Sequence, residues 1–245
     1  MNIQQLLDTC NDLLEDFQRL VRGATLPAAG PDNVRIRLTL TIAEQFEAAL
    51  KLTSAHMSTH AATHVRSMIE ARVTMKMLEV ETDYIKQLHY EQLRGEKRVY
   101  ESILADPLIP EDAKLPIRDR LAACKPQFDD LHAAGLRPKR IADDFGSTGL
   151  SHFVGPYVML CNFAHNDLSA LLFRHGGVGK IVYKDDDSPQ LVQSIFACAV
   201  HVLMEATYQL GEIAKLPNGQ FESVFTEMNA KWHHILDNPV VQGME

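Results

Sequence analysis

Leu6-Leu-Asp-Thr-Cys-Asn-Asp-Leu-Leu-Glu-Asp-Phe-Gln-Arg-Leu-Val21 decides the fold class. Leu6, Leu7, Leu13, Leu14, Phe17, Leu20 and Val21 return every three or four residues, the period at which one helix face meets a core. Gly23 and Pro27-Ala-Ala-Gly-Pro31 end that stretch. Beyond it the same period recurs. Asp32 or Asn33 caps a second helix carrying Leu38, Leu40, Ile42, Phe46, Leu50 and Leu52. From His60, a third carries Ala61, Val65, Met68, Ile69, Val73, Met77 and Leu78. A charged helix is expected from about Thr82 to Ile103, its polar face solvated. Pro107, Pro110, Pro116 and Pro126 divide the next region into short helical pieces, and Asp143 to Gly149 reads as a polar loop. One strongly apolar helix is expected from Phe153 to Phe173, and another from Ser188-Pro189 to about Ala214. Pro217-Asn-Gly219 precedes a last helix, and Pro239 to Glu245 is expected as a loose tail.

Seven or eight helices without alternating strands predict an all-α, multi-helix bundle. Ile181-Val-Tyr183 alone reads as strand, enough for a short two-stranded ribbon at most. The expected organisation is a single helical domain over 1–245, with an N-terminal helix at about 2–22, a core bundle at about 33–216 and a C-terminal helix at about 220–237. A chain of this length buries roughly 70–75% of the surface its unfolded form exposes, so it needs no disulfide staples. Cys10, Cys124, Cys161 and Cys198 are far apart and read as free thiols.

The net charge of −8 disfavours broad coating of DNA, because a phosphate backbone repels it at long range. The chain opens on helix-like sequence rather than a basic-plus-apolar leader, and no run of about 18 apolar residues occurs. The expectation is a cytoplasmic protein with no membrane partner.

Gly176-Gly-Val-Gly-Lys180 resembles a phosphate loop only on the surface. The position needing the first glycine holds Arg174, and Ile181 stands where a magnesium-binding Ser or Thr is required. A turn between helices is the better reading. His56, His60 and His64 are spaced i, i+4, i+8, and on an unbroken helix their rings would share a side, as zinc ligands do. His201 and Glu205 form another i, i+4 pair, a further weak metal candidate; no metal or other cofactor is expected overall.

Arg66 and Glu70 are also i, i+4, among Val65, Met68, Ile69 and Ala71. Charges facing a core must be paired, so the pair is either a structural ion pair or the wall of a polar pocket. Asn162 and His165 share a face of the most apolar helix, with Asn166 and Asp167 next, and need partners there. Trp232-His-His234 reads as an interface or surface feature.

Arg66-Ser-Met-Ile-Glu70, followed by Tyr157-Val-Met-Leu-Cys-Asn-Phe-Ala-His165, resembles the bacterial domain-of-unknown-function family 5677, over roughly Ala43 to Leu210. That family carries an Arg-Ser-x-x-Glu stretch on one helix and a Tyr and a His on a later one. A more distant resemblance is to the HEPN helical-bundle superfamily, many of whose members cleave RNA with an Arg, a polar residue and a His on one helix. Asn162 and His165 match the last two, while Cys161 stands where the Arg would be. The resemblance implies a HEPN-like pocket of Arg66, Glu70, Asn162 and His165 acting as a metal-independent ribonuclease. Its possible partners are an RNA substrate and a second copy of the chain in a homodimer. Two alternatives stand beside it: a non-enzymatic binding or scaffold module, and a metal-dependent bundle enzyme.

Overall fold

A computed structural model describes residues 1–81, 83–165, 167–177, 179–183 and 188–240. The helices are α1 (Ile3–Gly23), α2 (Gly30–Ser54), α3 (Ser58–Val80), α4 (Tyr84–Ala105), α5 (Glu111–Ala133), α6 (Phe145–Thr148), α7 (Val154–Ala164), α8 (Leu168–His175), α9 (Pro189–Ile213) and α10 (Gln220–Asp237). Among the described residues the sheet content is one antiparallel ribbon, β1 (Gly176–Gly177) with β2 (Lys180–Ile181). The protein is an all-α multi-helix bundle, as the periodicity predicts. Its residues group into two compact units, Met1–Lys76 with the described part of Asp144–Glu245, and Met77–Asp143.

The first unit is built around α9. Its apolar face is nearly continuous, and Val192, Ile195, Phe196, Ala199, Val200, Val202, Leu203, Ala206 and Leu210 are all fully buried. By length and composition α9 is the one described helix able to cross a membrane, yet 61% of that window is buried inside the fold. It therefore serves here as the central core helix. Phe46 of α2 meets Phe196 edge to face at 6.2 Å, and each buried ring contributes about 1.5–3 kcal/mol. Helix α1 starts with a capping box in which Asn2 and Gln5 satisfy each other's backbone N–H, and it buries the leucine face read above. Buried Asp16 on that face is paired by Arg19 at 2.8 Å and by Lys231 of α10 at 2.6 Å. At Gly211 a Cβ would run into the Phe221 ring, so the glycine is what lets α9 and α10 approach.

The second unit is a helical hairpin. Tyr90 of α4 stacks on Phe128 of α5 at 5.1 Å and lies parallel to His132 at 6.1 Å. Gln87 donates to the Arg137 carbonyl at 2.9 Å, closing the end of the hairpin.

Several local expectations are corrected. Prolines 116 and 126 do not split their region; both sit inside the single helix α5. Both are exposed, so the carbonyls that lose a donor can turn to water. The polar segment Asp143 to Gly149 holds the short helix α6, closed by Gly149 at φ 71°. The expected Phe153–Phe173 helix is two helices, because the Asp167 carboxylate caps α8 by accepting from the Ala170 N–H at 2.9 Å. The histidine row is interrupted: α2 ends at Ser54, and His56 lies in the connection at φ 56°, leaving His60 and His64 on α3. The start of the tail is fastened rather than loose. Val240 is buried and its N–H donates to Gln193 at 2.7 Å, while Pro239 accepts from the N-terminal amine at 3.1 Å. Thr82, Asn166, Lys184 and the rest of the tail lie outside the described residues. Arg174, in the place a phosphate loop gives to glycine, is buried and donates to Thr59 Oγ1, the Thr59 carbonyl and the Phe163 carbonyl at 3.0, 3.2 and 2.8 Å. It is a clamp between helices.

Candidate functional site

Two polar clusters lie in the first unit. The first joins the two sequence segments singled out above. Arg66 Nη2 donates to Glu70 Oε1 at 2.7 Å, and the Tyr157 hydroxyl of α7 donates to the same oxygen at 2.9 Å. Arg66 also lies over the Tyr157 ring, 5.5 Å from its centroid. The ion pair is only half-buried, with side chains 24% and 32% exposed, so its net contribution is modest. Burial pushes the Tyr157 hydroxyl up to about 12; the Arg66 hydrogen bond works against that and Glu70 adds to it. Burial also works against the Arg66 charge, but Tyr157 and Glu70 outweigh it and raise the guanidinium.

Asn162 and His165 are exposed, and among the described residues their side chains make no hydrogen bond or ion pair. His165 is the C-cap of α7, not an interior residue of a long helix. The break at Asp167 supplies the reason: a polar run that would need partners inside an apolar helix faces water at a helix end. The structure therefore brings Arg66, Glu70 and Tyr157 together and leaves Asn162 and His165 open to solvent.

The second cluster contains the His201–Glu205 pair. His201 Nε2 lies 3.3 Å from Glu205 Oε1, and His152 Nε2 lies 3.6 Å from the same oxygen. The two imidazoles are nearly parallel, with centroids 5.3 Å apart and planes 18° apart. Behind them Arg72 Nε donates to Glu205 Oε2 at 2.7 Å, with the Arg72 side chain only 8% exposed. Burial opposes the Glu205 charge, but the His201 hydrogen bond and the Arg72 charge prevail and hold the carboxyl below its ordinary value.

These imidazoles line a cleft of about 410 Å³ with Phe153, Pro156, Met159, Ala197, Cys198, Trp232 and Leu236. That volume is in the range of small-molecule sites. The indole of Trp232 lies 5.2 Å from the His201 ring. Burial pushes the Cys198 thiol up to about 12, so it meets a ligand as a neutral, apolar group. Of this cluster only His201 and Glu205 were legible in the sequence. His152 sits in a 3₁₀ turn (Ser151–Phe153), where no helical spacing announces it.

The fold and these clusters define a helical-bundle protein with a histidine–carboxylate cleft. The chain belongs to a family of unknown function, DUF5677, whose model matches residues 32–179. The match begins and ends earlier than the Ala43–Leu210 span read from the motifs. It includes Arg66, Glu70, Tyr157, Arg72 and His152, whereas His201, Glu205 and Trp232 follow it. Comparison with curated proteins finds no match, and comparison with solved structures finds none.

Proposed function

We propose that the first unit binds a small, partly apolar molecule in the cleft and hydrolyses it through the His152, His201 and Glu205 groups. The observation that carries this reading is convergence. Two imidazoles that line an apolar cleft meet one carboxylate, His152 from a 3₁₀ turn and His201 together with Glu205 from α9, and a buried arginine holds the carboxylate. Among the described residues His201 Nδ1 has no partner, which leaves one ring nitrogen for a ligand or water. In ester hydrolysis a water oxygen joins the acyl carbon and the bond to the leaving alcohol breaks. An imidazole carries the proton from the water to the alcohol. Glu205 is a positioning residue: its Oε1, 3.3 Å from His201 Nε2, orients the ring.

Trp232 is the only tryptophan of the chain, so occupancy can be read directly. 4-Nitroanisole, a nitroaromatic quencher that cannot be hydrolysed as an ester, is expected to quench its fluorescence saturably. Ala197→Leu narrows the cleft and is expected to weaken that binding about tenfold or more, since each filled methylene position opposes the ligand by roughly 1–3 kcal/mol. Linear, collisional quenching that is the same in both proteins would refute occupancy of the cleft.

A second reading is favoured by one further observation. Tyr157 of α7 meets Arg66 and Glu70, and Cys161 and His165 follow it at four-residue spacing, His165 as the exposed C-cap. In this reading the chain is a HEPN-like, metal-independent ribonuclease. A ribose 2′-oxygen attacks phosphorus and the 5′-oxygen leaves. His165 transfers the proton, Asn162 assists beside it, Arg66 stabilises the phosphate charge and Glu70 orients Arg66. His165→Ala is then expected to lower RNA cleavage by about 10²–10⁴-fold in a folded, chelator-treated protein. Equal cleavage by the parent and the variant, or none by the parent, rules it out.

A further inference from the structure

We infer that His152, His201 and Glu205 form a site for a divalent transition-metal ion of the zinc class, with its open coordination positions on the cleft. The inference takes its location from the cleft reading above, but its test does not depend on turnover. The ligand set is two imidazoles and one carboxylate, a set characteristic of hydrolytic zinc sites, in which the protein supplies three ligands and a fourth position stays open. The spacing also fits. A tetrahedral ion bound at about 2.0–2.1 Å sets its ligand atoms roughly 3.3–3.5 Å apart. The two imidazole Nε2 atoms stand 3.3 and 3.6 Å from Glu205 Oε1. All three ligand atoms lie within 4.8 Å of one another.

Any closing of the nitrogen–nitrogen edge that an ion requires is a movement within the 4.8 Å span of the three atoms. His152 is able to supply that movement, because it sits in a 3₁₀ turn with its side chain 46% exposed. His201 and Glu205 are one turn apart on α9, a rigid, buried helix that fixes the other two ligand atoms.

The outer shell is present as well. Arg72 Nε occupies Glu205 Oε2 at 2.7 Å, so Oε1 is the oxygen turned toward both imidazoles. Metal-ligating carboxylates are commonly held by such a partner. Two imidazole nitrogens with one carboxylate favour a nitrogen-preferring transition ion over calcium or magnesium, since those require several oxygen ligands. Ion binding changes the task of the two rings from carrying a proton to holding the ion that activates water.

The test uses Co²⁺ on the full chain, purified without a histidine tag and stripped with chelator. One Co²⁺ per chain is expected by equilibrium dialysis, with the visible d–d absorption of a four-coordinate site. Quenching of Trp232 should accompany it, because the indole lies 5.2 Å from the His201 ring. His152→Ala and His201→Ala are each expected to weaken binding by at least the 10–100-fold that outer-shell partners carry. His152→Ala alters an exposed side chain and keeps the test sound should His201→Ala fold poorly. Chelator should also abolish hydrolysis in the cleft, and Co²⁺ should restore it.

Stoichiometric Co²⁺ retained by both variants, or Co²⁺ bound without any change in Trp232, would place the ion elsewhere, for example at His60 and His64, and overturn the inference. No Co²⁺ bound, with His201-dependent ester hydrolysis intact in chelator, overturns the metal site and leaves the cleft reading standing. Co²⁺ bound at this site without hydrolysis supports the metal site and removes the hydrolytic reading.

Discussion

His201→Gln is expected to lower kcat/KM for 4-nitrophenyl esters by about 10²–10⁴-fold, the contribution of a positioned acid–base group. Glutamine keeps most of the bulk and an amide that can still meet Glu205, so the cleft wall is preserved. What it removes is the second nitrogen and the ability to take up a proton. His201 stands within 3.3 Å of the Glu205 carboxylate and beside the Trp232 indole. A ligand seated against the indole is therefore within reach of the ring. Ester hydrolysis by the variant at the parental rate, with an unchanged melting curve, removes His201 from the chemistry.

Glu205→Ala should cost about 3 kcal/mol of folding stability, measured by denaturant unfolding. The reason is Arg72, whose side chain is 8% exposed and whose Nε donates to the Glu205 carboxylate. Removing one partner of a buried pair leaves an uncompensated charge and costs about 3–5 kcal/mol. The lower end applies because the Glu205 side chain is 24% exposed and water offsets part of the loss. Arg72 Nη1 is buried without a hydrogen-bond partner among the described residues, so little is left to take over the charge. Glu205→Gln should cost less, since its amide oxygen still accepts from Nε. Replacing both residues at once, Arg72→Met with Glu205→Leu, should recover most of the loss, because two apolar side chains leave no charge to solvate. A Glu205→Ala protein within 0.5 kcal/mol of the parent, a margin about that of ordinary surface substitutions, would mean that the pair is not held as described.

Helix existence was legible because burial imposes its period on the sequence. Leu6 to Leu20 face the core wherever their spacing predicts, and the apolar helix expected from Ser188-Pro189 buries Val192 to Leu210 along one face. Helix limits were less legible, because they depend on single hydrogen bonds and on solvent. Asp167 ends one expected helix and starts another by accepting one N–H. Pro116 and Pro126 sit inside α5 where Asp112 and Ala122, the residues whose carbonyls they leave without a donor, are exposed and open to water. The candidate sites divide along the same line. Arg66–Glu70 and His201–Glu205 are pairs within one helix, and sequence spacing alone brings their members together. Tyr157 joins the first pair across 87 residues, and Arg72 and His152 reach Glu205 from other elements. Contacts of that kind come from tertiary packing and leave no periodic trace.

The most direct measurement of the central claim is a ¹H–¹⁵N NMR titration of the Trp232 indole and the histidine side chains with 4-nitroanisole. The cleft reading predicts one saturating event, in which the single indole N–H signal and the His152 and His201 ring signals shift together while His165 does not move. Shifts confined to His165 and the residues around Arg66, with Trp232 unmoved, would contradict it.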